Sequence, residues 1–270
     1  MDALKTAQLI DPLPRERIKY GYDRPRIGPP VFRDILHNMT SAARGYFLKE
    51  YGSWSVLIIA FLAGLVASRG FTWQAIPVFL ALCLLINSKQ ALTNWMREKG
   101  SRPALIFLSQ LVVATVIFIA VFGAAIPQLL PLLVFPATYL LMSRFVGEHF
   151  ILTEVLGFAL ISLAAVLAKF AVTGGVDVRL FVAVALYFTA GVFKVKTLLL
   201  KKTRDRVLAV LYVVFAALAY RGFHVSLIIL LPLIDNIVAA ATLYKVKLRT
   251  TGWIEVFKSI LFFILMSIYY

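Results

Sequence analysis

Cysteine and histidine are scarce in this sequence. Cys83 is the only cysteine and lies inside an apolar stretch, so the chain can form no intramolecular disulfide, no Cys-x-x-Cys site and no thiolate metal cage. The three histidines, His37, His149 and His224, are too few and too scattered to supply paired haem ligands within the membrane. We therefore predict no bound metal, and neither cysteine chemistry nor histidine-ligated haem.

Acidic residues are also few. The chain has 13 Asp and Glu against 28 Lys and Arg, which gives a formal net charge of +15. A surplus of this size can indicate nucleic-acid binding. Here, however, the basic residues cluster in short connections between long apolar runs, as membrane topology alone would arrange them. We therefore expect no nucleic-acid partner.

Several familiar enzyme motifs are missing as well. There is no Gly-x-Ser-x-Gly, no Walker loop, no Gly-x-Gly-x-x-Gly opening a soluble βα unit and no Cys-x-x-Cys-His. The first fifty residues also lack the apolar core of a cleavable signal peptide. These motifs therefore indicate no catalytic class, and the apolar runs become the main source of information.

Apolar residues are abundant. They make up 61% of the chain, against about 45–50% in an ordinary soluble domain, and the mean hydropathy is +0.88. Runs close to the roughly 20 residues needed to cross hydrocarbon recur from residue 56 to the last residue. A helix satisfies its own backbone hydrogen bonds in lipid. The sequence therefore predicts an all-α polytopic membrane protein.

We predict about nine transmembrane helices, which together form a membrane domain over residues 50–270. Their expected bounds are residues 53–68, 73–92, 103–123, 126–144, 150–172, 178–200, 204–220, 224–244 and 252–270. Lysine and arginine concentrate in alternate connections between these runs, and such residues stay on the cytoplasmic side. This predicts a bacterial-type inner membrane protein with a cytoplasmic N-terminus and a C-terminus outside.

Two segments precede the membrane domain. Residues 1–30 are polar and rich in proline, which disfavours helix, so we predict an extended cytoplasmic tail. Residues 31–49 place apolar side chains at helical spacing opposite polar ones, which predicts an amphipathic helix in the membrane interface or on a partner protein. The tail is either a disordered terminus without a function or an arm that binds another subunit. Its candidate anchors, continuing into the helix, are Ile18, Tyr20, Tyr22, Ile27 and Phe32.

Ionisable residues within predicted spans are costly and are therefore functional candidates. Asp235 follows Pro232, which predicts a kink in that span. Three interpretations stay open for Asp235: a proton or cation ligand, the partner of a basic residue on another span, or a simple interhelical hydrogen bond with Asn236, Ser or Thr. Glu154 belongs to a polar belt at the start of the fifth span, and Glu255 is spaced to pair with Lys258 on one helix face.

The stretch from residue 194 to residue 206 is dense in cations. It holds Lys194, Lys196, Lys201, Lys202, Arg204 and Arg206. Such a stretch can bind anionic lipid headgroups or a diphosphate. A connection that only sets topology would also explain it.

Three short patterns resemble the YwiC-like family of bacterial membrane proteins. Lys-Glu-Tyr-Gly-Ser-Trp at residues 49–54 is similar to that family's (Arg/Lys)-Glu-His-Gly-Ala-Trp, with Tyr51 in place of the histidine. Val-Phe-Lys-Val-Lys-Thr at 192–197 and the Gly-Trp-Ile-Glu pattern beginning at 252 resemble two further family segments. The resemblance runs from about residue 48 to residue 270 and implies a membrane protein without implying its chemistry.

A more distant resemblance is to the UbiA-type prenyltransferases, which share the nine-span layout and place polar loops after spans two and six. Those enzymes hold Mg²⁺ and a prenyl diphosphate on Asp-rich motifs. In this chain the first loop retains an asparagine and an Arg-Pro pair but no aspartate, and the second has Asp205 alone among its cations. What the resemblance implies is a set of lipid- or diphosphate-binding candidates: Asn87, Lys89, Asn94, Arg102, Lys194, Lys196, Lys201 and Arg204.

Three functions follow from these patterns. The leading hypothesis is a non-catalytic integral membrane subunit, a UbiA-like helical bundle that anchors or braces a respiratory or photosynthetic electron-transfer complex. It would contact lipids and, through the N-terminal arm, other subunits, and a bound lipid or quinone is the one cofactor left open. The alternatives are a divergent UbiA-like enzyme acting on an isoprenoid diphosphate or lipid, and a small-molecule or proton-coupled transporter. Against the transporter, the sequence shows no clear internal repeat and no paired broken helices.

Overall fold

The computed structural model describes residues 51–98, 100–147, 150–244 and 248–270. The predicted tail at 1–30, with its anchors Ile18, Tyr20, Tyr22 and Ile27, lies outside the described residues. The predicted amphipathic helix at 31–49, with Phe32, lies outside them too. His149 of the polar belt is also beyond the described part.

Every regular element in the described part of the chain is helical, which confirms the predicted all-α class. The described residues form ten α-helices, which are α1 (Tyr51–Ala67), α2 (Ala75–Glu98), α3 (Ser101–Phe122), α4 (Ile126–Leu129), α5 (Val134–Phe145), α6 (Ile151–Thr173), α7 (Val178–Leu200), α8 (Thr203–Gly222), α9 (Ile234–Thr242) and α10 (Leu248–Tyr269). Short 3₁₀ segments, Gly123–Ala125, Leu130–Leu133 and Leu227–Leu233, connect some of them.

Several of these helices can cross a bilayer, so a multi-pass membrane protein is confirmed. Within the described part of the chain, five stretches are long and apolar enough: Ala75–Arg97, Ser101–Phe145, Ile151–Thr173, Val178–Leu200 and Thr250–Tyr269. Two shorter helical stretches, Gly52–Ala67 and Leu227–Thr242, are also apolar. The count of nine spans and the orientation of the termini stay predictions.

Two of the apolar stretches are interrupted helices. In the first, α3 gives way to alternating 3₁₀ and α segments that end in α5, and in the second, the segment Leu227–Leu233 changes from 3₁₀ to α at Ile234. Both carry Leu-Leu-Pro-Leu, at residues 129–132 and 230–233, and proline cannot donate the helical hydrogen bond. The described residues therefore contain two broken helices, whereas the sequence argument considered the break at Pro232 alone and found no pair.

The core is built where α1 crosses α6 and α6 lies against α7. Gly64 permits the first of these contacts, since a Cβ there would lie 2.1 Å from the Ala165 carbonyl oxygen. Ala60 and Ala63 on α1 and Ala168 on α6 are fully buried and equally small. Small residues let helix backbones approach closely in a membrane. The α1–α6 crossing is therefore fixed by residue size rather than by polar contacts.

Helix α7 lies at the centre of the bundle, and side chains contact its backbone at its start and along its length. The side chain of Asp177 caps its start by accepting a hydrogen bond from the Leu180 amide at 3.0 Å. Side chains of two neighbouring helices donate to α7 backbone carbonyls: Tyr220 to Ala183, Tyr212 to Leu186 and Asn236 to Ala190. These hydrogen bonds tie α8 and α9 to α7 and place the polar side chains described next.

Candidate functional site

Four charged side chains meet between α7, α9 and α10, and we call them the charge ring. Its members are Lys194 on α7, Asp235 on α9, and Glu255 and Lys258 on α10. Two lysines and two carboxylates make the ring neutral as a set. Asp235 is thus the partner of a basic residue on another helix, one of the three interpretations that the sequence left open.

Each carboxylate of the ring contacts both lysines. Lys194 Nζ donates to Asp235 Oδ2 and, at 2.6 Å, to Glu255 Oε1. Lys258 Nζ lies 3.1 Å from Glu255 Oε1 and 3.4 Å from Asp235 Oδ2. Because every ion pair shares a member with another, removing one group disturbs at least two contacts.

The lysines are deeper than the carboxylates. The side chains of Lys194 and Lys258 are 0% and 9% exposed, whereas those of Asp235 and Glu255 are 30% and 31% exposed. An ammonium buried this completely must be paired, since an isolated charge in a low-dielectric interior is very costly. The carboxylates therefore neutralise the lysines and also present oxygen atoms at the surface of the bundle.

Neighbouring polar groups complete the ring. Asn236, next to Asp235, accepts a hydrogen bond from Lys258 Nζ and donates to the Ala190 carbonyl of α7 at 3.0 Å. The Tyr187 hydroxyl donates to the Lys258 backbone carbonyl at 2.7 Å, and the Tyr244 hydroxyl donates to Asp235 Oδ1 at 3.3 Å. The site thus holds α7, α9 and α10 together through side chains on all three.

The ring lies at one level of the bundle. Lys194, Asp235 and Glu255 are each about six or seven residues from the nearest end of their helical segment, and a rise of about 1.5 Å per residue makes that roughly 10 Å. These three ends are on the side that the charge pattern predicts to be cytoplasmic. The ring therefore lies roughly 10 Å inward from these helix ends.

Other predicted site residues form a second, smaller contact. Lys196 Nζ lies 3.0 Å from Glu154 Oε2, so this pair connects α7 to the first turn of α6. Both side chains are partly exposed, at 21% and 29%. Lys196 and Lys194 are two residues apart on α7 and therefore point to different helices, Lys196 to α6 and Lys194 to α9 and α10.

The remaining diphosphate candidates are spread over three helices and one turn. Asn87, Lys89 and Asn94 are half-buried on the second half of α2, and Arg102 is exposed in the first turn of α3. Lys201 is exposed between α7 and α8, and Arg204 is exposed in the first turn of α8. The charge ring includes none of these six, so only Lys194 belongs both to the candidates of the resemblance and to the ring.

Two ring features were missed by the sequence argument. The spacing of Glu255 and Lys258 predicted their mutual contact but gave no sign that both also contact groups on other helices. Tyr187 and Tyr244 were not singled out at all, because tyrosines in apolar helices are common and carry no local signal. Among the described residues, no three His, Cys, Asp or Glu side chains come together as metal ligands.

Comparison with known proteins agrees with one of the two resemblances. A family model described as YwiC-like protein matches residues 48–169, which confirms the predicted resemblance to that family over this part of the chain. The matched part contains α1 to α5 and most of α6. No curated protein and no solved structure matches the chain. The UbiA-like layout stays a prediction.

Proposed function

We propose, starting from the YwiC-like character of residues 48–169, that the chain is a non-catalytic integral membrane subunit. In this proposal the helical domain anchors or braces a larger membrane complex of the respiratory or photosynthetic electron-transfer type. Its N-terminal arm contacts other subunits, and a lipid or quinone is a further candidate ligand of the bundle.

The observation that carries this proposal is the uneven burial of the apolar helices. Ser101–Phe145 is the most apolar stretch, with a mean hydropathy of 2.7 in its best window, yet only 11% of that window is buried within the chain. The corresponding share is 50% for Ile151–Thr173 and 56% for Val178–Leu200. The stretch therefore adds little to the chain's own core and offers a long apolar surface to lipid or to another protein.

One face of α3 has the composition of a helix–helix contact. Val112, Val116 and Ala120 on α3 and Ala124 just beyond it recur every four residues, and all four are exposed. Short side chains at this spacing let a second helix approach closely. Leu108, four residues before Val112, is exposed as well, so the short side chains begin in the middle of α3, and this part of the row favours close approach of a protein partner.

The state of the lysines supports a structural role over the enzyme alternative. Two of the lysines that the resemblance assigns to a diphosphate, Lys194 and Lys196, are both paired with carboxylates of the same chain. Binding a diphosphate there would first break those ion pairs. If the enzyme alternative is right, changing Lys89 and Lys196 to Ala abolishes turnover of an isoprenoid diphosphate without affecting assembly.

The test is extraction of the native membrane in mild detergent, followed by native mass measurement and protein identification. We expect the full-length protein to travel in a stoichiometric complex and a variant lacking residues 1–47 to lose it. The Ala120→Leu variant should weaken the same complex, because the longer side chain blocks close approach of a partner helix. Thr115→Leu, exposed on another face of α3, is the matched control and should leave the complex intact.

The subunit proposal fails if all of these proteins run alone near the mass of one chain, 30.1 kDa, plus bound lipid. If Thr115→Leu is as harmful as Ala120→Leu, the exposed row on α3 has no special part in the contact with the partner.

A transporter is the second candidate, because the structure contains two interrupted helices and places the charge ring on one of them. Interrupted helices at corresponding positions of two halves are typical of substrate sites in secondary transporters. The protein reconstituted in liposomes should then carry a proton-coupled flux that Asp235→Asn removes. Flux that persists unchanged in that variant contradicts this candidate.

A further inference from the structure

Three of the six cations between residues 194 and 206 are already used within the bundle. Lys194 belongs to the charge ring, and Lys196 is paired with Glu154. Arg206 donates hydrogen bonds from its guanidinium group to two backbone carbonyls at the C-terminal end of α9, at 2.6 and 2.9 Å. These three side chains hold helices together, so a ligand could reach them only by breaking those contacts.

The other three cations of the stretch form an exposed patch where α7 turns into α8. They are Lys201, Lys202 and Arg204, and we call them the basic turn. Among the described residues, none of these three side chains forms an ion pair or a hydrogen bond. Asp205 is the only carboxylate between residues 194 and 206, and its Oδ2 atom is buried away from the surface. The basic turn therefore presents three positive charges that the described part of the chain leaves unpaired.

The start of α8 adds to the attraction of the basic turn for an anion. The N-cap residue of this helix, Lys202, makes no side-chain capping hydrogen bond. The first backbone N–H groups of a helix have no partner within it, and the helix dipole places a partial positive charge there. Thr203 and Arg204, the first two residues of α8, are exposed, so a ligand can approach this end. A phosphate is the kind of group that such a helix start binds.

Beyond the basic turn, α8 presents an exposed apolar row. Its members follow Arg204 at intervals of three or four residues and are 52–65% exposed: Val207, Leu211, Phe215 and Leu218. At about 1.5 Å per residue, the row from residue 204 to residue 218 is about 21 Å long. One leaflet of a bilayer contributes about 15 Å of hydrocarbon. Helix α8 packs against α7, which is long and apolar enough to cross a bilayer, so an acyl chain could follow the whole row.

We propose that the basic turn and the apolar row of α8 together bind an anionic phospholipid. The phosphate contacts Lys201, Lys202, Arg204 and the N–H groups at the start of α8, and one acyl chain lies along residues 207–218. The two parts of such a lipid match the two adjoining surfaces, since one surface is cationic and the other apolar. A zwitterionic lipid also has a phosphate, but its own ammonium group offsets the attraction of the basic turn.

The experiment is native mass spectrometry of the full-length protein in detergent, titrated with phosphatidylglycerol or phosphatidylcholine of identical acyl chains. We expect the first phosphatidylglycerol to bind the wild type about tenfold or more tightly than the first phosphatidylcholine, because each nearby Lys or Arg adds about fivefold. Arg204→Gln should weaken phosphatidylglycerol binding by about fivefold and leave phosphatidylcholine binding unchanged. Replacement of all three cations of the basic turn by Gln should remove the preference. Equal affinity of the wild type for the two lipids overturns the proposal.

Arg221→Gln is the matched control, since Arg221 is exposed in the last turn of the same helix. It loses the same charge as Arg204→Gln, but at the helix end where the dipole disfavours an anion. The control should therefore bind phosphatidylglycerol as the wild type does. If it binds as weakly as Arg204→Gln, affinity follows the overall charge of the protein, and the basic turn is not the site.

Two measurements on the wild type separate a lipid from a free anion. Sodium phosphate should displace phosphatidylglycerol no better than sodium chloride of the same ionic strength, and displacement by phosphate at the concentration of the lipid contradicts a lipid site. Phosphatidylglycerol that carries a photoreactive group in one acyl chain should label residues 207–218, and labelling that omits α8 overturns the proposal. None of these readouts requires a partner complex, so failure here is distinct from failure of the subunit proposal.

Discussion

A lysine–carboxylate ion pair lies near each end of α7, but the two pairs differ in burial and in the number of partners. At one end, Lys169 Nζ on α6 lies 2.6 Å from Asp177 Oδ2, and the two side chains are 19% and 20% exposed. At the other end, Lys194 is fully buried and shares two carboxylates with Lys258. A lysine–carboxylate pair is thus a contact between two side chains at the Asp177 end. In the charge ring it is one of several ion pairs within a neutral set of four groups.

The difference shows what decides the energetic weight of an ion pair in this bundle. The Lys169–Asp177 pair lies beside a loop, where water can replace a missing partner, and Tyr270 adds a hydrogen bond to Asp177 at 2.9 Å. In the charge ring a missing partner leaves a charge among apolar side chains. Single losses should therefore be tolerated at the Asp177 end and not in the ring.

The largest effect is expected from replacing the ring lysine. Lys194→Met removes one of the two cations that both carboxylates contact and leaves an excess negative charge in the ring, so we expect the free energy of unfolding to fall by about 3–5 kcal/mol. The matched change at the other end, Lys169→Met, should reduce it by about 1 kcal/mol. Denaturation of the purified proteins by sodium dodecyl sulfate, followed by circular dichroism, measures both. Equal losses at the two ends would contradict the comparison.

A packing change between the two ends should be intermediate in size. Gly64→Ala puts a Cβ against the Ala165 carbonyl, so α1 and α6 must separate, and we expect a loss of about 1–3 kcal/mol in the same assay. Gly52→Ala is the control on the same helix, since no described residue lies within 4 Å of a Cβ there. A harmless Gly64→Ala would show that the helices can shift at little cost.

Much of the fold could be predicted because apolar run length is a local property. The expected bounds 178–200 and the observed α7, Val178–Leu200, coincide, and the connection expected between residues 68 and 73 separates α1 from α2. The breaks in the fourth and eighth runs were not predicted in full. A proline marks where a helix is weakened, but whether it kinks or changes to 3₁₀ depends on packing around it.

The candidate site was predicted residue by residue but not as an arrangement. Asp235 and Glu255 were singled out as intramembrane acids, and Lys194 as one of a row of cations. Their contacts join residues 41 and 61 positions apart in the chain, and no spacing rule reaches that far. For the same reason the sequence could not tell Lys194, which is buried in the ring, from Lys201, which is exposed.

The smallest effect concerns Asp177, the one carboxylate of the comparison that lies outside the spanning helices. Burial by itself would raise the pKa of this carboxyl. Hydrogen bonds from Lys169, the Leu180 amide and Tyr270, with the positive charge of Lys169, outweigh burial and hold the pKa below its ordinary value. A carboxyl whose pKa is lower in the folded state stabilises the fold above the unfolded-state value of about 3.9, and this contribution is lost as the pH falls through the folded-state value.

Asp177→Asn tests this contribution while it keeps the helix cap, since asparagine caps a helix start about as well as aspartate. At neutral pH we expect the variant to be less stable than the wild type by about 1 kcal/mol or less, because it loses the charge but not the hydrogen bond to Leu180. Between roughly pH 4 and roughly pH 2 the two proteins should converge, as the wild-type carboxyl takes up its proton. The measurement is the difference in unfolding free energy between the two proteins at each pH, so that all other carboxylates cancel. If the difference in unfolding free energy stays constant down to the lowest pH, the ionisation of Asp177 does not contribute to the stability of the fold.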